Sequence, residues 1–287
     1  MQLKGFEKFR EKTPALKGIR IVLIPIYVFF VLIITSYVLK AFYTYPGILK
    51  QKQSIIPFLI PLIGVVLVEL IGFFLLSQMW IWRDTLKKKY GPGAYQRILL
   101  IGLAGITIII YLAFNNYSSL RNYAPAFWTT NEYSILIRPW YMIFGKQIKS
   151  LIVEIKLILD YLFLLLGFSM SIRSIYTFGL DYTTAVYLYF PEESTIQENK
   201  IYSILRHPMY NGLVFVAMGG FFFNLTVYSL IFCILYILGF YFHIHYVEEK
   251  ELLSRFGESY KTYRKKVPMF CMNPLKLSML IKFIVTG

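Results

Sequence analysis

The chain has 287 residues, 57% of them hydrophobic and 16% charged, with a net charge of +15. A soluble domain carries about 25% charged residues, so a water-soluble globule is excluded. The positive excess sits beside apolar runs, where it sets membrane orientation rather than nucleic-acid affinity. The two cysteines, Cys233 and Cys271, suggest neither a disulfide framework nor a metal site.

Apolar runs follow in chain order. Ile21 to Leu39 lacks charge, and Ile55 to Trp82 has only Glu69. Ile98 to Phe114 lacks charge, as does Tyr161 to Ile172, whose apolar pattern reaches back to Leu151. Pro208 to Phe242 is charge-free, with Gly219, Gly220 and Asn224 near its middle. It is too long for one crossing, so a helix–turn–helix is predicted with a turn at 223–225. Its first arm would be about 22 Å long, against a hydrocarbon core of about 30 Å. The expectation is an all-α, polytopic bundle of six apolar helices: 19–42, 54–82, 98–114, 150–177, 208–222 and 226–250. The N-terminal helices would occupy 1–149 and a catalytic core 150–287.

Lysine and arginine concentrate in 1–20, 83–97 and the C-terminal tail. An even number of crossings puts these regions on one side, predicted to be cytoplasmic together with loop 178–207. Tyr43, Tyr45, Trp128, Trp140 and Tyr141 read as interfacial anchors at the opposite ends. Glu69 lies mid-span, where a carboxylate is either functional or bonded to a neighbouring helix. Glu154, Lys156 and Asp160 read as interfacial or inter-helix pairing residues rather than catalytic ones.

Two polar clusters bracket the helical pair. The first is Arg206-His207-Pro208-Met209-Tyr210-Asn211-Gly212. The second runs from Glu248-Glu249 through Phe256-Gly257-Glu258-Ser259-Tyr260 and Tyr263 to Val267-Pro268. Antiparallel arms would return both to one cytoplasmic rim. Pro208 suits a helix start, whose N-terminus favours an anionic group. Arg206 can fork onto a carboxylate. Glu248 or Glu249 can pair with an ammonium. Tyr210, Tyr260 and Tyr263 offer faces to an adenine or a sulfonium. S-adenosylmethionine carries carboxylate, ammonium, adenine and sulfonium together.

The run RHPMYNG, an apolar stretch, then EEKELLSRFGESYKTYRKKVP resembles the isoprenylcysteine carboxyl methyltransferase family, and the C-terminal pattern of phospholipid methyltransferases is similar. The resemblance covers roughly 150–275. It implies a membrane methyltransferase with a cytosol-facing S-adenosylmethionine pocket and a lipid or lipid-linked acceptor entering from the bilayer. Carried over by motif, Arg206, His207, Pro208, Tyr210 and Glu248 or Glu249 would line the pocket, with Tyr260 and Tyr263 covering it. Arg206, His207 and Glu249 would stand nearest the chemistry, and no metal is implied. Isoprenylcysteine enzymes have an arginine four residues before the first paired glutamate, where this chain has Ile244 between His243 and His245. The alternative is an NADPH-dependent reductase, because membrane sterol reductases look similar here. They would favour an Arg-Asp type pair where this chain has two glutamates.

Overall fold

The computed structural model describes residues 4–16, 18–44, 56–118, 136–270 and 276–286. Tyr45, Trp128 and Cys271 lie outside the described residues. Every regular element described is helical. A short arm helix α1 (Phe6–Lys12) precedes α2 (Leu23–Thr44) and α3 (Ile56–Ile81), then α4 (Arg83–Tyr90) and α5 (Ala94–Asn115). After the next described turn come α6 (Lys146–Phe178), the four-residue helices α7 (Leu180–Thr183) and α8 (Val186–Tyr189), and α9 (Pro208–Asn224). α10 (Val227–His243), α11 (Glu249–Phe256), α12 (Glu258–Lys266) and α13 (Leu277–Thr286) complete the chain.

All six expected apolar segments are helical. Four stretches have the length and apolarity to cross a bilayer: Arg20–Thr44, Leu59–Ile81, Arg83–Asn115 and Val227–Phe256. α9 has 17 residues and rises about 26 Å. α6 carries Glu154, Lys156, Asp160 and Arg173 along its length. The outward faces of the long helices are apolar: Phe29, Phe30 and Ile34 on α2, Leu70 and Phe74 on α3, Ile158 and Leu165 on α6, Ile234 and Leu238 on α10. In water such a band would aggregate. In lipid it is satisfied, and the chain is an integral membrane protein.

Without a hydrophobic drive between helices in lipid, close approach of backbones holds them together. α9 packs most extensively on α6. A Cβ on Gly167 would lie 2.6 Å from the Gly212 carbonyl oxygen, and one on Gly212 equally close to that of Gly167. Val216 and Ser171 fill the flanks of this contact. α3, α5 and α10 form the other side of the core, where Tyr236 donates to the Ile109 carbonyl at 2.8 Å. Glu69 of α3 is buried against Gly239 of α10, which has no Cβ to collide with the carboxylate.

The structure refines three sequence expectations. Tyr43 is buried and its hydroxyl accepts from Asn115 Nδ2 at 2.6 Å, so it is a core residue and not an interfacial anchor. Of the α6 charges, Glu154 is exposed, whereas Lys156 is buried, donates to the Phe223 carbonyl and lies over the Tyr141 and Phe223 rings. It neutralises the carbonyl end of α9. Finally, the expected helix 226–250 is present but departs from α geometry near its end. α10 ends at His243, and Ile244–Glu248 forms a π-helical turn before α11. The chain between α9 and α10 turns at Leu225, in the left-handed region at φ 48°, and Thr226 caps α10 through a reciprocal bond with Ser229.

The α6–α9 contact predicts a sharp asymmetry. Gly212→Val overpacks a backbone-to-backbone contact and should cost about 3 kcal/mol, read as a lower melting temperature in detergent. Gly93→Ala, where a Cβ meets open space, should leave it unchanged. Equal melting of both variants would refute the packing argument.

Candidate functional site

The two sequence clusters, about forty residues apart, meet in space. Pro208 opens α9 with His207 as its N-cap. The Arg206 Nε lies 2.8 Å from Glu249 Oε1, off the direction of a straight hydrogen bond. His207 bridges both glutamates, its Nδ1 3.6 Å from Glu248 Oε1 and its Nε2 3.3 Å from Glu249 Oε1. Glu249 is only 1% exposed, and Arg264 Nη1 stands 3.7 Å from its second oxygen. A buried carboxylate persists only with such partners.

The π-helical turn explains why neighbouring glutamates share one histidine. Successive residues of an α-helix diverge by about 100°. The wider turn at Ile244–Glu248 resets the register just before Glu249. Burial works against a charged His207 ring, but the Glu248 and Glu249 carboxylates outweigh it and hold its pKa above the ordinary histidine value.

Arg206 has a second task. Its Nη1 donates to the carbonyls of Arg264 at 2.7 Å and Val267 at 2.9 Å, and its backbone N–H donates to Pro268. Asn211 Nδ2 donates to the His207 carbonyl and, at 2.9 Å, to that of Met269. The first cluster therefore grips the end of the second, satisfying carbonyls that a helix C-terminus leaves open. Tyr260 donates weakly to Glu249 Oε1 at 3.4 Å, and Tyr263 donates to the Tyr202 carbonyl at 2.7 Å.

A cavity opens beside this knot. Arg206, His207, Pro208, Tyr210, Glu248, Tyr260 and Tyr263 line it; Glu249 lies behind the lining and holds three of its neighbours. Glu248 Oε2 is buried without a hydrogen-bond partner. The opposite wall was not legible from sequence. It comes from the segment after α6, with a row of aromatic rings: Tyr202 and Phe178 with centroids 4.8 Å apart, Phe178 and Tyr182 4.3 Å, Tyr182 and Tyr187 3.9 Å. These rings follow no helical or strand period, so no pattern could single them out. Trp80 of α3 adds an N-terminal residue to the lining. Glu251 and Arg255 also line it, paired at 2.9 Å, with Arg83 on Glu251 at 3.0 Å. Their i,i+4 spacing on α11 was the available signal.

His243 and His245 part company. His243 is buried with Nδ1 3.0 Å from Ser77 Oγ and its ring against Trp80. His245 stacks on Tyr241. Ile244 between them is fully buried.

Two consequences can be measured. Arg206→Ala strands Glu249 and two backbone carbonyls, so ligand-free stability should fall by about 3 kcal/mol. Arg206→Lys should not restore it, since one ammonium cannot replace the fork; melting at parental temperature would refute the clamp. The His207 charge contributes in full below the unfolded histidine pKa of about 6.5 and is lost as pH rises through the raised folded value. The melting gap between the parent and His207→Gln should therefore narrow as pH rises above about 6.5 and through the raised folded value. A gap widening with pH would contradict that sign.

No curated relative and no solved structure matches the chain. A family model does. It covers most of α6, the aromatic wall, the first charged cluster and the second as far as the end of α11, and stops one residue before Tyr260. Residues 155–259 match the family model of phospholipid methyltransferase, the family whose C-terminal pattern the two clusters resemble.

Proposed function

We propose that the protein is a membrane methyltransferase that uses S-adenosylmethionine to methylate a lipid or lipid-linked acceptor. The observation that carries the cofactor reading is Glu248. Its side chain lines the cavity and keeps 21% of its exposure, and its buried Oε2 has no hydrogen-bond partner among the described residues. Such a group is costly unless a ligand donor meets it, and an ammonium is the strongest donor for it. The start of α9, with His207 as its cap and Arg206 beside it, offers positive potential to the carboxylate carried on the same α-carbon as that ammonium. The rings of Tyr202, Phe178, Tyr182 and Tyr187 offer stacking surface to the adenine.

When bound, the cofactor supplies a methyl group already activated on a sulfonium. The chain's own work is then to bind, orient and exclude water. Glu249 keeps His207 and Arg206 in place, and the Arg206 clamp holds Tyr260 and Tyr263 near the cavity. Residues 150–287 form the catalytic core in this reading, completed by Trp80 from the N-terminal half. The cavity faces the cytoplasm with both termini, as the positive flanks argue. A cysteine introduced at exposed Glu192 should be labelled only from that side of sealed vesicles.

The acceptor reading favours a lipid headgroup over a prenylcysteine. A prenylcysteine carboxylate calls for a cation where Ile244 is buried. The reductase alternative gains nothing, since the acidic pair repels a nucleotide phosphate and the matched family transfers methyl groups.

Calorimetry tests the cofactor. S-adenosylmethionine or its demethylated product should bind, and NADPH should bind more weakly. Glu248→Gln should weaken binding about tenfold or more, about 1.4 kcal/mol. Glu258→Gln, whose exposed carboxylate pairs with Lys261, should not. Tighter NADPH binding, or an undiminished Glu248→Gln, would sink the assignment.

A further inference from the structure

The arm before the first apolar helix leans on the back of the aromatic wall. Phe9 of α1 is buried among Val186, Leu188 and Tyr189. The Lys4 carbonyl accepts from the Leu180 N–H at 2.8 Å, and Lys4 Nζ donates to the Thr177 carbonyl at 2.9 Å. Lys8 Nζ is 2.5 Å from Glu193 Oε2, and Lys12 Nζ is 3.2 Å from Glu193 Oε1. Lys8 also stands 4.7 Å above the Tyr187 ring. Tyr187 in turn donates to Asp181 at 2.7 Å, and its carbonyl accepts from Arg255 at 3.0 Å. Gly5 has φ 77°, and a Cβ there would overlap the Asp181 carboxylate. Only glycine lets the arm approach this closely.

The wall needs such support. α7 and α8 have four residues each, well below the length at which a helix sustains itself. Ala185 between them is in the left-handed region at φ 58°. Yet Tyr182, Thr183, Ala185, Tyr187 and Leu188 all line the cavity. An aromatic face can discriminate ligands only if its rings are held in place.

We propose that residues 4–13 are a strap in which Lys8 and Lys12, both held by Glu193, position Tyr187 and so set the affinity of the cavity for its ligand. Lys8, Lys12 and Glu193 are positioning residues and do not line the cavity. The effect on affinity rests on the S-adenosylmethionine reading above; the effect on the wall does not. The Lys8 and Glu193 side chains keep 30% and 34% of their exposure, so each ion pair alone is weak. The strap acts through two lysines on one carboxylate together with the Phe9 anchor.

The test uses the full chain in lipid nanodiscs. Three forms are compared with the parent: Gly5→Ala, Glu193→Lys, and Glu193→Lys combined with Lys8→Glu and Lys12→Glu. Two quantities are read: amide hydrogen exchange across 180–190, and S-adenosylmethionine affinity by calorimetry. Gly5→Ala and Glu193→Lys should each speed exchange across 180–190 and weaken affinity about threefold or more, with exchange in α3 and α5 unchanged. The charge-swapped form should recover most of both. Unchanged exchange in both single variants would overturn the strap. Faster exchange with parental affinity would overturn its positioning role and leave only packing. Failure of the charge swap to recover would overturn the part assigned to the lysines. If the parent itself binds no S-adenosylmethionine, the cofactor reading fails, and exchange across 180–190 still decides whether the strap holds the wall.

Discussion

A single buried carboxylate, Glu249, constrains the C-terminal half. A charge this deep is tolerated only if counter-charges reach it. They come from Arg206 and His207, just before α9, and from Arg264 at the end of α12. To deliver them, the chain must leave along α9 and return along α10. The return path runs through α10 and the π-helical turn after it, so that Glu249 reaches the start of α9. The cavity is a by-product of that closure: its charged side is whatever the knot presents to the outside.

Local geometry then refines the charge pattern. The π-helical turn lets Glu248 and Glu249 address opposite nitrogens of one imidazole, leaving one oxygen of Glu248 without a protein partner. Arg206 shows the same economy. It faces Glu249 with one part of its guanidinium and ties down the C-terminal segment with another, so binding surface and structural clamp are not separable at this residue.

Packing in the apolar layer follows from backbone proximity rather than from hydrophobicity. Gly167 and Gly212 let α6 and α9 touch carbonyl to Cα, and this seats the aromatic segment that follows α6 close to the start of α9. The N-terminal half is drawn into the site by contact as well: Trp80 lines the cavity and Arg83 holds Glu251. Sequence position alone had assigned these helices to a separate region.

The amino-acid sequence by itself determined the membrane class, the helical segments and the two charged clusters, because each is local. Charge-free runs are read by counting, a helix start is marked by His207-Pro208, and the glutamate pair stands out against apolar surroundings. Seven of the eight expected cofactor residues line one cavity, while Glu249 supports it from behind. What only the tertiary structure decided depends on contacts between distant residues. Tyr43 looked interfacial and is buried because Asn115 satisfies its hydroxyl. The π-helical turn at 244–248 has no proline or glycine to announce it; it lies where α10 leaves the apolar core and the chain enters the knot around Glu249. The rings of Phe178, Tyr182, Tyr187 and Tyr202 sit on four different elements, the end of α6 and three short turns, and are brought together by contacts from other segments. Side chains held by neighbours from other segments, and not by their own helix, leave no pattern in the order of residues.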